Sequence, residues 1–443
     1  MSACSGSWIA HGCGSGDKHS SDSKGRLIIS AENSKYTLRR LWLTEDEERG
    51  YYQGFSNEGL WPLCHMTKVA PQFRIDDWDH YELVNRRFAS AVLEEASTND
   101  PIVLVQDYHL ALVPNLVRKY LPKAQILTFW HIPWPSPDWL SLCPWHEQIL
   151  EGLLGSTTLG FQTEQHRRNF LQAASRLDQY KTNDIDSTVI NEKHTSHIKH
   201  YPISIPWPEP DMDRFNSSSE CKKKIFKELA LNSDHLLMLG IDRLDYTKGI
   251  VERLMSFELL LESHPDYIGR LSLVQIGAPT RCSVEAYQDY EMRVCALVQR
   301  INDQFSGPMY VPVHLRLRNH DQLEVEELYR ACDVCLVTSL HDGMNLVAKE
   351  FVAAREDNRG TLILSKFTGA AFELHDAVIV DPHDTEQTTH AMVKALEMTC
   401  EEIEQRMRNM RNVVRKNNIY KWAGRMLLDG AQVCSTKTIN SSC

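Results

Sequence analysis

The sequence points to an α/β protein in two halves, each a parallel sheet flanked by helices. Three observations carry this. Apolar runs of strand length, such as Leu236–Gly240, Leu271–Ile276 and Val334–Leu340, alternate with longer stretches of helical apolar spacing. A proline-dense segment, Pro206-Trp207-Pro208-Glu209-Pro210, divides the chain near its middle. Polar, glycine-containing loops follow the apolar runs, at the strand ends where such sheets bind ligands.

In chain order, residues 1–33 read as partly irregular, with Ser7–Ala10 a strand end and Gly12–Gly25 a loop. Tyr36–Leu43 is a strand. Thr44-Glu45-Asp46-Glu47 has the form of a capping box opening a helix toward Tyr52, followed by a loop over Gly54–Gly59. Asp77–Glu95 is helical through Tyr81, Val84, Phe88 and Val92. Strands Ile102–Val105 and Ala124–Trp130 flank a helix and are followed closely by Asp107 and His131, which places both residues at neighbouring strand ends. Thr157–Phe161 and Lys199–Ile205 are further strands, and Ser175–Ser196 reads as irregular. In the second half, helix Ile250–Glu262, helix Val284–Phe305, strand Met309–Val313 and helix Glu324–Ala331 precede Val334–Leu340. Strands Thr361–Leu364 and Ala377–Val380 follow, then helices Thr385–Met398, Glu402–Asn417 and Ile419–Val433. The tail from Ser435 reads as disordered.

The 443 residues are 42% hydrophobic and 24% charged, which suits a soluble protein of two or three domains. A net charge of −11 argues against generic nucleic-acid or membrane-surface binding. No stretch approaches the ~18 apolar residues of a membrane span, and Met1–Ser7 lacks a signal-peptide pattern. Among the cysteines, Cys295 and Cys335 sit in apolar runs as buried thiols. Cys332 and Cys335 form a C-x-x-C with no second pair to complete a zinc site. A reducing cytoplasm is the expected compartment.

Two strand-to-helix loops carry the chemistry. Gly240-Ile241-Asp242-Arg243-Leu244-Asp245-Tyr246-Thr247-Lys248-Gly249 offers two cations that suit a diphosphate, Arg243 as a bidentate fork and Lys248 as a point charge. His341-Asp342-Gly343-Met344-Asn345-Leu346-Val347-Ala348-Lys349-Glu350 opens a helix whose N–H groups and dipole favour an anion. Gly343 permits close backbone approach, and Glu350 lies two turns past Asp342, within reach of a ribose diol. The bland alternative makes Asp342 an N-cap and Glu350 a solvated charge.

These two segments resemble the donor-binding motifs of the trehalose-6-phosphate synthase family, retaining glycosyltransferases of the GT-B, family 20 type. Gln106-Asp107-Tyr108-His109-Leu110, His131-Ile132-Pro133-Trp134-Pro135 and Tyr51-Tyr52-Gln53-Gly54-Phe55-Ser56-Asn57 resemble its other motifs. The similarity runs from about Trp8 to about Leu428, and five motifs in order are more specific than any one. It implies two Rossmann-like domains facing across a cleft: an acceptor domain over 1–205 and a nucleotide-sugar domain over 206–418. A helix over 419–434 would cross back to the first domain, ahead of a disordered tail over 435–443.

By that resemblance the chain transfers α-glucose from a nucleotide-glucose, UDP-glucose first among them, to glucose 6-phosphate. Attack comes from the same face, the leaving diphosphate takes the acceptor proton, and neither a protein nucleophile nor a metal or other cofactor is required. His131, Arg243, Lys248 and Asp342 become the catalytic set. Arg243, Lys248, Asp342, Gly343, Met344, Asn345, Leu346 and Glu350 bind the donor. Tyr52, Trp61, Asp107 and Arg281 bind the acceptor. On pattern alone Tyr52 and Trp61 read as aromatic core and His131 as a structural imidazole, and Arg281 reads equally as a solvated loop cation. A second copy of the chain and a trehalose-phosphate phosphatase are candidate partners.

Two departures stand out. Family members usually begin with a strand, a Gly-Gly loop and a helix, on the order of 30 residues, with no counterpart before Ser5, so the first domain is expected to be incomplete at its N-terminus. Many also carry Arg where this chain has His341, which weakens the local positive field. Two alternatives follow: a relative with another acceptor, such as a glucosylglycerol-phosphate synthase, or a catalytically impaired sugar-nucleotide-binding subunit.

Overall fold

The computed structural model describes residues 6–12, 14–31, 34–207 and 215–440. The boundary residues Pro208, Glu209 and Pro210 and the tail residues 441–443 lie outside these. The chain divides into two compact units, one of residues 1–201 with 425–443, the other of residues 202–424.

In the first unit, β1 (Ser7–Gly12) pairs parallel with β3 (Ser34–Trp42), and β2 (Arg26–Ala31) pairs antiparallel with β3. The segment expected to be irregular therefore carries two strands, with a short helix, Ser15–Ser20, between them. A separate six-stranded sheet comprises β4 (Ile102–Gln106), β5 (Gln125–Phe129), β6 (Thr158–Phe161), β7 (Lys181–Asn183), β8 (Thr188–Ile190) and β9 (Thr195–His200), in the order β4-β5-β6-β9-β8-β7. The β4, β5, β6 and β9 strands are parallel, whereas β7 and β8 form an antiparallel hairpin within the segment expected to be irregular. Its polar residues carry no apolar alternation, and pairing to β9 orders them.

The expected capping box forms: Glu47 N–H donates to Thr44 Oγ1 at 3.2 Å, and Thr44 N–H to the Glu47 carboxylate at 2.8 Å. Beyond it the structure corrects the expected loop. Arg49–Leu60 is one π-helical run that buries Tyr51, Phe55 and Leu60. Its glycines made it read as a turn, but Gly50 and Gly54 bring its backbone onto helix Ile75–Glu95, where a Cβ on Gly54 would run into the Asp77 carboxylate.

The second unit holds a fully parallel sheet: β10 (Leu236–Arg243), β11 (Leu271–Ala278), β12 (Val313–Arg316), β13 (Val334–Val337), β14 (Thr361–Ser365) and β15 (Val378–Val380). Their spatial order, β12-β11-β10-β13-β14-β15, is the 3-2-1-4-5-6 order of a dinucleotide-binding sheet. Ligands bind such a sheet where the strand order reverses, here between the carboxyl ends of β10 and β13. The strands are near-continuously buried, as in a sheet covered on both faces. The last helix, Ile419–Asn440, runs through part of the tail expected to be disordered. Among the described residues no helix is long and apolar enough to cross a membrane.

Candidate active site

The loop after β10 closes into a tight turn, Tyr246–Lys248, because the Asp245 carboxylate accepts from both Thr247 N–H and Thr247 Oγ1 at 2.9 Å. Gly249 then takes φ +65°, and a Cβ there would strike the carbonyl oxygen of Thr338 beyond β13. Leu340 N–H donates to the Thr247 carbonyl at 2.8 Å, so the loops after β10 and β13 are bonded backbone to backbone. Across that seam Lys248 Nζ lies 2.5 Å from Asp342 Oδ2, which also accepts from Asn345 Nδ2 at 3.2 Å. The two loops singled out in sequence meet in space.

Arg281, in the loop after β11, places Nη1 3.4 Å from Asp245 Oδ2 and also bonds the Tyr287 hydroxyl. Asp245 is fully buried. Burial pushes its carboxyl up, but Arg281, Lys248 and Arg243 together outweigh burial and hold it below its ordinary value. Three candidate cations thus share the field of one buried anion. Arg281 is not the solvated loop cation of the bland alternative, since its side chain is 6% exposed.

The helix after β13 spans Leu346–Ala354, and its N-cap is Asn345, not Asp342. Asn345 sits at φ 77° and its side chain accepts from Ala348 N–H at 3.1 Å. Asp342 lies three residues before that cap, and its carboxylate pairs with Lys248. Leu346 opens the first turn, where N–H groups have no intrahelical partner. Gly343 and Met344 lie in the preceding turn, held by Ala370 N–H donating to the Met344 carbonyl at 2.8 Å. Glu350 accepts from the Tyr329 hydroxyl at 3.0 Å, and half-buried His341 immediately precedes Asp342.

In the first unit, Asp107 and His131 follow the neighbouring strands β4 and β5 as expected. Asp107 sits at φ 70°, strained for a residue with a side chain. Its Oδ1 accepts from Tyr108 N–H at 2.9 Å and His131 N–H at 3.2 Å. His131 Nε2 lies 2.9 Å from Gln106 Oε1. Burial lowers the imidazole below its ordinary value while Asp107 pulls it back up. Tyr52 is 40% exposed and stacks on His109 at 5.4 Å, whereas Trp61 is buried against His65 and Tyr108.

Sequence reading missed the groups beneath these loops. Arg253 is fully buried and bonds Asp242, Gln275 and Thr338. The signal was a charged residue inside an apolar strand: β10 runs on to Arg243, past the Gly240 where the apolar run was read to end. Cys332 and Cys335 are buried free thiols, and burial pushes Cys332 up to about 12. Among the described residues no group of three or more His, Cys, Asp or Glu side chains is placed to hold a metal ion.

Residues 4–431 match the family model described as glycosyltransferase family 20. The chain belongs to this family. This family 20 chain is 35% identical over 409 residues to the UDP-forming α,α-trehalose-phosphate synthase of Pichia angusta, covering 90% of itself and 84% of that relative. It is 36% identical over 391 residues to the bifunctional trehalose-6-phosphate synthase/phosphatase of Thermoproteus tenax, covering 87% of itself and 52% of that protein. Its fold is that of the family's solved GT-B members. An E. coli structure bound with UDP-2-fluoro glucose superposes with a TM-score of 0.87 at 32% identity, covering 97% of this chain and 93% of the other. The α,α-trehalose-phosphate synthase of Burkholderia xenovorans in complex with glucose-6-phosphate gives 0.85 at 31% identity, covering 96% and 92%.

Proposed function

We propose that this family 20 glycosyltransferase moves an α-glucosyl group from UDP-glucose to glucose 6-phosphate with retention, forming α,α-trehalose 6-phosphate and UDP. The observation that carries the reading is the contact of Lys248 with Asp342 at the switch point between β10 and β13. Breaking the bond from the anomeric carbon to the diphosphate builds negative charge on the leaving group. Fixed positive groups aimed there lower the barrier most. Arg243, Lys248 and the main-chain N–H groups of Gly343, Met344, Asn345 and Leu346 take that role. Asp342 holds donor-sugar hydroxyls, Glu350 the ribose, and His131 the reacting face of the donor sugar.

Tyr52, Trp61, Asp107 and Arg281 hold the acceptor. The leaving diphosphate accepts the acceptor's hydroxyl proton, so no protein nucleophile is needed, and the cations serve where a metal otherwise would. The relatives bound with UDP-2-fluoro glucose and with glucose-6-phosphate support both substrates. The cytoplasm is the proposed compartment. The fused Thermoproteus tenax protein supports a phosphatase as the functional partner, and a second copy of the chain is the proposed assembly partner.

The test is incubation with UDP-glucose and glucose 6-phosphate, followed by detection of UDP and the disaccharide phosphate. Turnover preferring glycerol 3-phosphate would move the reading to another acceptor. Calorimetric binding of UDP-glucose without turnover would make the chain a binding subunit.

A further inference from the structure

We propose that Arg253 is a positioning residue that sets the spacing of the three strand ends that lead to the donor cations Arg243 and Lys248, to Arg281 and to Asp342. This rests on the UDP-glucose reading above. Arg253 lies on helix Ile250–Ser263 and its side chain is 0% exposed. Nη1 donates to Asp242 Oδ2 at 2.7 Å and to Gln275 Oε1 at 2.8 Å, and Nε donates to Thr338 Oγ1 at 3.0 Å. These acceptors sit on, or directly after, three neighbouring strands. Asp242 immediately precedes Arg243 on β10, Gln275 lies on β11 three residues before its end, and Thr338 directly follows β13 on the way to Asp342. One planar guanidinium therefore spans the carboxyl ends of β11, β10 and β13.

The Thr338 hydroxyl also donates to the Gly249 carbonyl at 3.3 Å, tying the same group to the turn that carries Lys248. Gly240 makes the space. It faces Gln275 across the β10–β11 ladder, and a Cβ there would run into both Arg253 Nη1 and the Gln275 amide oxygen. A buried ion pair is a poor way to gain stability, because apolar residues of the same volume often do as well or better. A fork with fixed donor directions is a good way to hold three strand ends at set distances.

The test compares R253K with N302A by calorimetry of UDP binding and by thermal unfolding. Asn302 bonds Val313 N–H and its carbonyl at 3.0 Å at the amino end of β12, opposite the carboxyl ends that carry the loops, so N302A weakens the same unit without touching the loops. R253K is expected to weaken UDP binding at least tenfold, about 1.4 kcal/mol, while N302A stays within twofold of wild type. Parity of R253K with wild type, or an equal loss in N302A, overturns the proposal. Should R253K not fold, T338V removes one of the three acceptors and is expected to weaken UDP at least threefold; binding within twofold of wild type overturns the proposal. Wild-type protein that fails to bind UDP sinks the donor reading and this inference with it. Wild-type binding with R253K at parity sinks only the role of Arg253.

Discussion

Lys248 pairs with the Asp342 carboxylate and shares the field of a second, Asp245, that differs in burial and in partner. Asp245 is sealed beneath the loop, and Asp342 is 14% exposed at its surface. A diphosphate would compete with Asp342 for the ammonium, but Asp245 would keep holding the loop. K248A is therefore expected to fold and to release UDP at a rate lowered on the order of 10²–10³-fold, the usual loss for one donor at a developing anion; initial rates at saturating substrates measure this. Lys248 and Asp342 were singled out in sequence because two loops, one basic and one rich in backbone amides, each followed an apolar strand-like run. Arg253 was not, since nothing local marks a helical arginine as buried. His131 supplies a pH signature. Burial holds its imidazole below 6.5, against the pull of Asp107, so between the folded value and 6.5 the unfolded chain binds more protons. Stability from this group is full above about 6.5 and is lost as pH falls below it. His200, His235 and His314 are lowered the same way by burial. Magnetic-resonance titration of His131 is expected to give a midpoint below 6.5; one at or above 6.5 contradicts the burial argument.

Helix Leu346–Ala354 shows how an element read correctly in outline is placed by distant partners. Its apolar positions announced it, but its first residue is set by the Asn345 cap, three residues past Asp342, whose carboxylate pairs with Lys248. Its middle is anchored by Lys349, 1% exposed, whose ammonium donates to Glu373 Oε2 at 2.6 Å and to the Ile203 carbonyl at 2.8 Å. K349M leaves the partly buried Glu373 carboxylate, which keeps only the Asn417 amide at 3.2 Å, without its cation, a loss of about 2–3 kcal/mol. Urea unfolding is expected to show that loss, and the double variant K349M/E373L should recover most of it. The turn before helix Ile250–Ser263 is equally constrained. G249A forces a side chain into the left-handed region at about 1–2 kcal/mol and pushes on Thr338. Lower UDP affinity should therefore accompany its lower stability. The π-helical run Arg49–Leu60 escaped sequence reading because its glycines signal turns locally, while their function is close packing on a helix that begins 15 residues later.

Taken as a whole, the chain forms two units, and its last residues complete the first of them. Within that unit the Tyr201 hydroxyl donates to Asp429 Oδ2 at 2.6 Å, Arg425 lies over the Tyr201 ring, Met426 is buried and Gly430 packs on Leu127. Deleting residues 425–443 is expected to lower the unfolding midpoint of the first unit on the order of 10 °C and to leave that of residues 202–424 in place. Calorimetric scans in which both transitions move together would contradict this. Alternating strands and helices, the loops that bear Arg243, Lys248 and Asp342, and the family were all legible from residue order, because burial periodicity and charge placement are local properties. The β7–β8 hairpin, the meeting of Lys248 with a carboxylate 94 residues away and the guanidinium beneath three strand ends were not. Each depends on which strands become neighbours, and the order β12-β11-β10-β13-β14-β15 exists only once segments far apart in the chain have paired.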